Sequence, residues 1–291
     1  MDDILKINNL GKNYKEFCLK NISFNIPKGS IMGLIGENGA GKTTTLKLIL
    51  NLIKSNGGNI EVFGLDHIGN ELEIKQRLGV VLDESYFHDN LKPREISMMM
   101  KHIYKTWDKT KFLGYLNRFK LPKDRAIKEF SKGMKMKLSI AVALSHDAQL
   151  LILDEPTSGL DPVVRNEMLD IFSDFIQDEE KSILFSTHIT SDLDKIADYI
   201  TFIHNGEIVF SKAKDELISG HRIIKCGESD FNKIDKLDII NYRKNKFGCE
   251  VLIKDRKMAI SRYKDFLMDS VNLEDIMLFY IRGDNDDRTS D

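Results

Sequence analysis

The 291 residues carry 43 basic against 45 acidic side chains and are 42% hydrophobic. That balance supports a sizeable apolar core and excludes a strong global field for nucleic acid or an anionic membrane. No apolar run approaches the roughly 20 residues of a spanning helix, and the opening MDDILKINNL is not expected to be a signal peptide, lacking a basic region followed by an apolar stretch.

In chain order, ILKINNL and NISFNI alternate as half-buried strands, the second closed by the turn Pro27-Lys28-Gly29. IMGLIG reads as a buried strand, followed by a glycine-rich turn and the helical stretch KTTTLKLILNLI, the opening of a parallel α/β unit. From about 84 to 145 helical patterns dominate, in REISMMMKHIYKTW and KMKLSIAVALS. QLLILDEP then returns to a buried strand, VRNEMLDIFSDFIQ is an amphipathic helix and SILFSTH a further buried strand. YITFIHNGEIVF predicts a hairpin turning at Asn205-Gly206. Beyond about Gly220 the pattern weakens. HRIIKCGE and GCEVLIKD read as strands, NLEDIMLFYIRG as a helix, and the acidic tail GDNDDRTSD as a frayed end. The expected division is a first domain over 1–220, with a helical insertion at about 84–145, and a small accessory domain over 221–291. Cys18, Cys226 and Cys249 are distant in sequence, odd in number and without metal-ligand spacing, so free thiols in a reducing compartment are expected.

The segment GENGAGKT fits G-x-x-x-x-G-K-[ST] between a buried strand and a helix. Gly36, Gly39 and Gly41 let the backbone turn tightly and offer N–H groups to phosphate oxygens, at the positive end of the next helix. Lys42 is placed to reach the β- and γ-phosphates and Thr43 to ligate Mg²⁺. Nucleotide contacts are thus expected along Gly36, Glu37, Asn38, Gly39, Ala40, Gly41, Lys42, Thr43 and Thr44. The strand LLILDE ends in Asp154, suited to hold Mg²⁺ through water, and Glu155, suited to polarise the attacking water.

Together with FSKGM at 130–134, SGLD at 158–161 and STH at 186–188, these segments resemble the ATP-binding subunits of ABC transporters over about residues 4–215. The resemblance implies an α/β, RecA-like P-loop ATPase core with an N-terminal antiparallel β layer. It also implies that Tyr14 stacks on adenine and that two such domains close head to tail around two ATP molecules. Ser131 and Gly133 would then meet the γ-phosphate held by the opposite chain, Asp161 would link the two sites and His188 would sense the γ-phosphate. Implied partners are a transmembrane permease and a second ATP-binding subunit, either a copy or a related chain, with no nucleic acid, at the cytoplasmic face of the cell membrane.

The chain departs from the family pattern twice. Asp83 stands in LGVVLDES where the family has glutamine, still able to face Mg²⁺, and Lys132 and Met134 replace a glycine and a glutamine of the signature. IYKTWD and NLEDIMLFYIRG are similar to an export-type bacterial subgroup with separate permeases, including YtrB-like proteins of Gram-positive bacteria. Lys120–Lys137, with seven basic residues against two acidic, reads as a solvated face or as a surface meeting ATP or the permease. A non-transport ATPase of the same superfamily, acting on nucleic acid or protein assemblies, and a regulatory nucleotide-binding module stand as alternatives. NKID at 232–235 imitates a guanine-reading motif without the buried strand that should precede it.

Overall fold

A computed structural model describes residues 2–83, 87–246, 248–254 and 261–282. The chain forms two compact units, Met1–Ile189 with Thr201–Ser211, and Thr190–Ile200 with Lys212–Asp291. The second unit thus takes two stretches ahead of position 221.

In the first unit the alternating segments become β1 (Asp3–Asn13) and β2 (Cys18–Pro27), antiparallel partners whose inward residues Leu5, Ile7, Ile22 and Ile26 are fully enclosed. β3 (Ile31–Ile35), buried at every residue, leads through the glycine loop into α1 (Lys42–Ile49). β4 (Gly57–Val62) and β5 (Leu65–Asp66) complete an antiparallel sheet in the order β2-β1-β4-β5. The short α2 (Glu71–Gln76) and β6 (Leu78–Val81) come next.

The helical stretch contains α3 (Pro93–Ile103), α4 (Lys109–Arg118) and α5 (Lys132–Ala143). REISMMMKHIYKTW does not run as one helix. It stops where Tyr104 turns extended, with its ring stacked 3.8 Å from that of His146. Residues 84–86 of the expected insertion lie outside the described residues.

β7 (Leu150–Asp154), α6 (Pro162–Phe175) and β8 (Ser182–Thr187) follow. α7 (Thr190–Ile196) leads to β9 (Tyr199–His204) and β10 (Glu207–Ala213). Between the last two, Asn205 and Gly206 take φ of 47° and 79°, the pair of positive values a tight hairpin turn requires. The second sheet has the order β10-β9-β3-β8-β7-β6, with β3, β8, β7 and β6 parallel. Its central strands β3, β7 and β8 are buried at every residue and mostly apolar, because both faces are covered.

In register, Ile35 lies beside Thr187, Asp154 beside Ser186 and Val81 beside Leu153. The glycine loop, the two acids, Asp83 and His188 therefore all leave the sheet at one edge, the carboxyl ends of its parallel strands. Ligands of open α/β sheets bind at that edge.

The second unit contains α8 (Lys214–Ser219), β11 (His221–Cys226), α9 (Glu228–Phe231), β12 (Ile239–Asn245), β13 (Gly248–Lys254), β14 (Leu267–Asp269) and α10 (Leu273–Arg282). Its sheet order is β12-β13-β11-β14. Ile224, Ile234, Val251, Ile253 and Tyr263 fill its core. Asn241 ties β12 to α10 by donating to the Phe279 carbonyl at 2.9 Å. The three cysteines are free thiols, although Cys226 and Cys249 are register partners across β11 and β13. NKID follows α9 and contributes buried Ile234 to this core, not a nucleotide site. The acidic tail beyond 282 lies outside the described residues.

Candidate functional site: a phosphate cradle facing two carboxylates

Gly41 caps α1 in the left-handed region, at φ 114°. A side chain there would be strained, and its Cβ would come within 2.7 Å of a Leu19 methyl and 3.0 Å of the Phe17 ring. The loop ahead of it turns back on Lys42, whose Nζ donates to the carbonyls of Gly36 at 2.8 Å and Glu37 at 3.2 Å. Lys42 is only 6% exposed, and burial lowers its pKa against the opposing pull of Glu155 and Asp154. A polyanion beside it would favour its charged form.

Asp154, 2% exposed, accepts from the Thr43 hydroxyl at 2.9 Å on one oxygen and from Ser186 at 2.9 Å on the other. Two hydroxyl donors compensate its burial. Glu155 sits at φ 50°, an uncommon conformation for a residue with a side chain. Its backbone N–H donates to the Ser186 carbonyl at 2.9 Å. Its carboxylate accepts from the His188 N–H at 3.1 Å and the Thr187 hydroxyl at 3.3 Å. It also lies 2.9 Å from His188 Nδ1 and 3.8 Å from Lys42 Nζ. The strained backbone and these partners fix one orientation of the acid, which faces the cradle.

A cavity of about 470 Å³ is lined by Tyr14, Phe17, Glu37, Asn38, Gly39, Gly41, Lys42, Thr43, Thr44, Asp83, Asp154 and Glu155. Of the sequence-derived residues, Gly36 joins through its contact with Lys42 and His188 through Glu155. Ala40, within the loop, is buried and is not among the lining residues. Ser131, Gly133 and Asp161 are not among the lining residues. Ser131 caps α5 by accepting from Met134 N–H at 3.2 Å. Asp161 caps α6 by accepting from Val163 and Val164 N–H, each at 3.1 Å.

Sequence reasoning missed Phe17, Ser186 and Thr187 as individual participants. The last two lie in the flagged STH segment. Phe17 carried no signal, because only the turn joining β1 to β2, where Tyr14 N–H donates to the Phe17 carbonyl at 2.8 Å, brings it to the cavity. Of the basic stretch, Arg125, Lys132, Lys135 and Lys137 pair with Glu129, Asp83, Asp89 and Glu167.

No group of three or more histidine, cysteine or carboxylate residues that could cage a metal stands among the described residues. Thr43 Oγ1 beside Asp154 is nonetheless a hard-oxygen donor set that fits Mg²⁺ arriving with phosphates, which retains water and takes few protein ligands.

Residues 19–158 match the family model described as ABC transporter. The bacitracin transport ATP-binding protein BcrA of Bacillus licheniformis is 35% identical over 237 residues, covering 80% of this chain and 78% of that protein. The ABC transporter ATP-binding protein YtrB of Bacillus subtilis is 32% identical, covering 68% of each chain. A solved structure of an ATP-binding subunit of an ABC transporter superposes with a TM-score of 0.66 at 26% identity, over 74% of this chain and 91% of that one. The chain belongs to the ABC transporter family, as one of its ATP-binding and ATP-hydrolysing subunits.

Proposed function

We propose that the chain binds Mg²⁺-ATP in this cavity and closes head to tail with a second ATP-binding subunit, a copy or a related chain. Closure and hydrolysis drive a separate transmembrane permease that moves its substrate out of the cell. Tyr14 stacks on the base. The loop from Gly36 to Thr44 surrounds the phosphates, with Lys42 as their counter-charge. Thr43 and Asp154 would hold Mg²⁺, Asp154 through water, and the ion would supply positive charge against the phosphates. Glu155 polarises the attacking water, while His188, bonded to that same carboxylate, responds to the γ-phosphate. Ser131 and Gly133 act on nucleotide bound by the opposite chain, and Asp161 links the two sites.

The observation that carries this reading is the orientation of Glu155. It is held by Thr187 and His188 at the edge where Lys42, Thr43 and Asp154 meet. A carboxylate fixed beside a phosphate-binding lysine suits a water-polarising base.

The permease reading has its own support. An apolar hollow of about 490 Å³, separate from the nucleotide cavity, is lined by Leu50, Leu52, Leu72, Leu78, Val80, Leu82, Ile103 and Tyr104 together with Lys75 and Gln76. Leu72 is 84% exposed at its rim. Such a hollow fits an amphipathic helix of a partner. No helix among the described residues is long and apolar enough to cross a membrane. In this reading the chain attaches at the cytoplasmic face through that permease.

Equilibrium binding of a fluorescent ATP analogue tests the nucleotide site. Lys42→Ala removes a charge-assisted contact worth about 1.5–3 kcal/mol and should weaken affinity at least tenfold. Unchanged affinity in the folded variant would contradict the assignment.

A further inference from the structure

Asp83 leaves the carboxyl end of β6 and lines the nucleotide cavity. Its Oδ1 lies 3.2 Å from Lys132 Nζ. Lys132 is the first residue of α5, directly after Ser131. Its Nζ is also close to the SGLD loop, since a methyl group built on Gly159 would lie 3.9 Å from it. Two of the three positions at which the chain departs from its family's pattern therefore meet each other. One lysine spans from the start of α5 to the cavity wall.

The cavity's charges give this contact a purpose. Among the described residues, Glu37, Asp83, Asp154 and Glu155 line it against the single ammonium of Lys42. A polyphosphate entering such a wall meets repulsion. Asp154 is held by two hydroxyls, and Glu155 by His188 and Lys42. Asp83 is neutralised instead by a residue that does not line the cavity.

We infer that Lys132 is a positioning residue for nucleotide binding, holding the Asp83 carboxylate in an ion pair so that the cavity accepts a polyphosphate despite an acid at that position. The inference rests on the proposed ATP site. Both side chains are about half exposed, at 57% and 49%. The contact is therefore screened and modest, and its loss should cost about two- to fivefold in affinity.

Lys132 could otherwise act by its own field on the phosphates, and a double-substitution cycle separates the two cases. Coulomb terms add, so a direct field would make Lys132→Ala cost the same whether residue 83 is aspartate or glutamine. If the lysine works by holding Asp83, the cost disappears once residue 83 is glutamine. The measurement is equilibrium binding of a fluorescent ATP analogue to the full chain, with Mg²⁺ and with EDTA. It compares wild type, Lys132→Ala, Lys132→Arg, Asp83→Gln and Asp83→Gln/Lys132→Ala.

Lys132→Ala should weaken binding about two- to fivefold, more in EDTA, where the ligand is more negative. Raising salt from about 0.05 M to about 0.5 M should shrink the loss. Lys132→Arg should retain affinity. In EDTA, where Asp83 has no Mg²⁺ to face, Asp83→Gln removes a carboxylate from the wall and should bind at least as well as wild type, and in either medium it should be indifferent to a further Lys132→Ala. Equal cost of Lys132→Ala on both backgrounds, or no cost on either, overturns the inference while the ATP site stands. A wild-type chain that binds no analogue at all sinks both.

Discussion

At the scale of single residues, the candidate site was legible wherever residue type and distance along the chain were enough to place a side chain. Lys42, Thr43, Asp154 and Glu155 announced themselves because a phosphate cradle and a paired acid each need particular groups at fixed spacing. Phe17 did not, since its place depends on a turn between two strands and not on its neighbours in sequence. The pairing of Asp83 with Lys132 was equally invisible, because the two residues belong to separate elements. Tyr14, 49% exposed at the cavity mouth, tests the assignment of the base end. Stacking of a base on an aromatic ring is worth about 1–3 kcal/mol by alanine substitution. Tyr14→Ala should therefore weaken ATP about five- to 150-fold and Tyr14→Phe far less. Competition by inorganic tripolyphosphate, which has no base, should be indifferent to either change. A matching loss for tripolyphosphate would show that Tyr14 shapes the phosphate end instead.

Among elements, those with a strong period or a buried apolar run emerged where sequence placed them. β3, β7 and β8 are enclosed on both faces, so their composition alone betrays them. α3 was overextended, because the apolar pattern continues past Ile103 while the ring of Tyr104 turns away to stack on His146. That contact is tertiary and leaves no local signature. β12 and β14 were missed for a similar reason, as NYRKN and LMD become strands only by pairing with β13 and β11.

Helix caps carry a second prediction. Asp161 accepts two N–H groups at the start of α6, a role that any effect on a neighbouring site must be separated from. Asp161→Ala should cost about 1 kcal/mol of stability, and Asp161→Asn, an equally good cap, only a few tenths. Urea unfolding reads both. An alanine variant as stable as wild type would mean that the cap contributes nothing. A change in ATP turnover in the stable asparagine variant would reveal a role for the charge itself.

For the whole molecule, the coarse plan was readable, an α/β core carrying helices and followed by a smaller unit. The separation of the units was less so, because α7 sits between β8 and β9 of the large sheet in sequence but belongs to the compact unit of α10. Buried histidines make stability depend on pH. Burial lowers the pKa of His67, His146 and His221 below their ordinary value of 6.5. As pH falls below that value the unfolded chain takes up protons first, so stability is full above about 6.5 and declines through the folded-state values. The slope is bounded at about 1.4 kcal/mol per pH unit for each group. The urea midpoint should fall between about pH 7.5 and pH 5.5, and His146→Gln should flatten the decline. A midpoint constant over that range would contradict the burial argument.

The central claim, that ATP closes two such chains and Glu155 then releases them by hydrolysis, is met most directly by Glu155→Gln. The amide keeps the shape of the carboxylate and removes its basicity, so ATP should still bind while turnover falls by about 10²–10⁴-fold. That loss corresponds to roughly 3–5 kcal/mol of barrier. Asp154→Asn should instead weaken Mg²⁺-ATP itself. Size-exclusion chromatography of Glu155→Gln, read beside its ATPase rate with its subunit partner present, should show a monomer without nucleotide. Mg²⁺-ATP should bring it to a dimer, and ADP should return it to monomer. Wild-type hydrolysis in the folded variant, or an elution position indifferent to Mg²⁺-ATP with that partner present, would contradict the account.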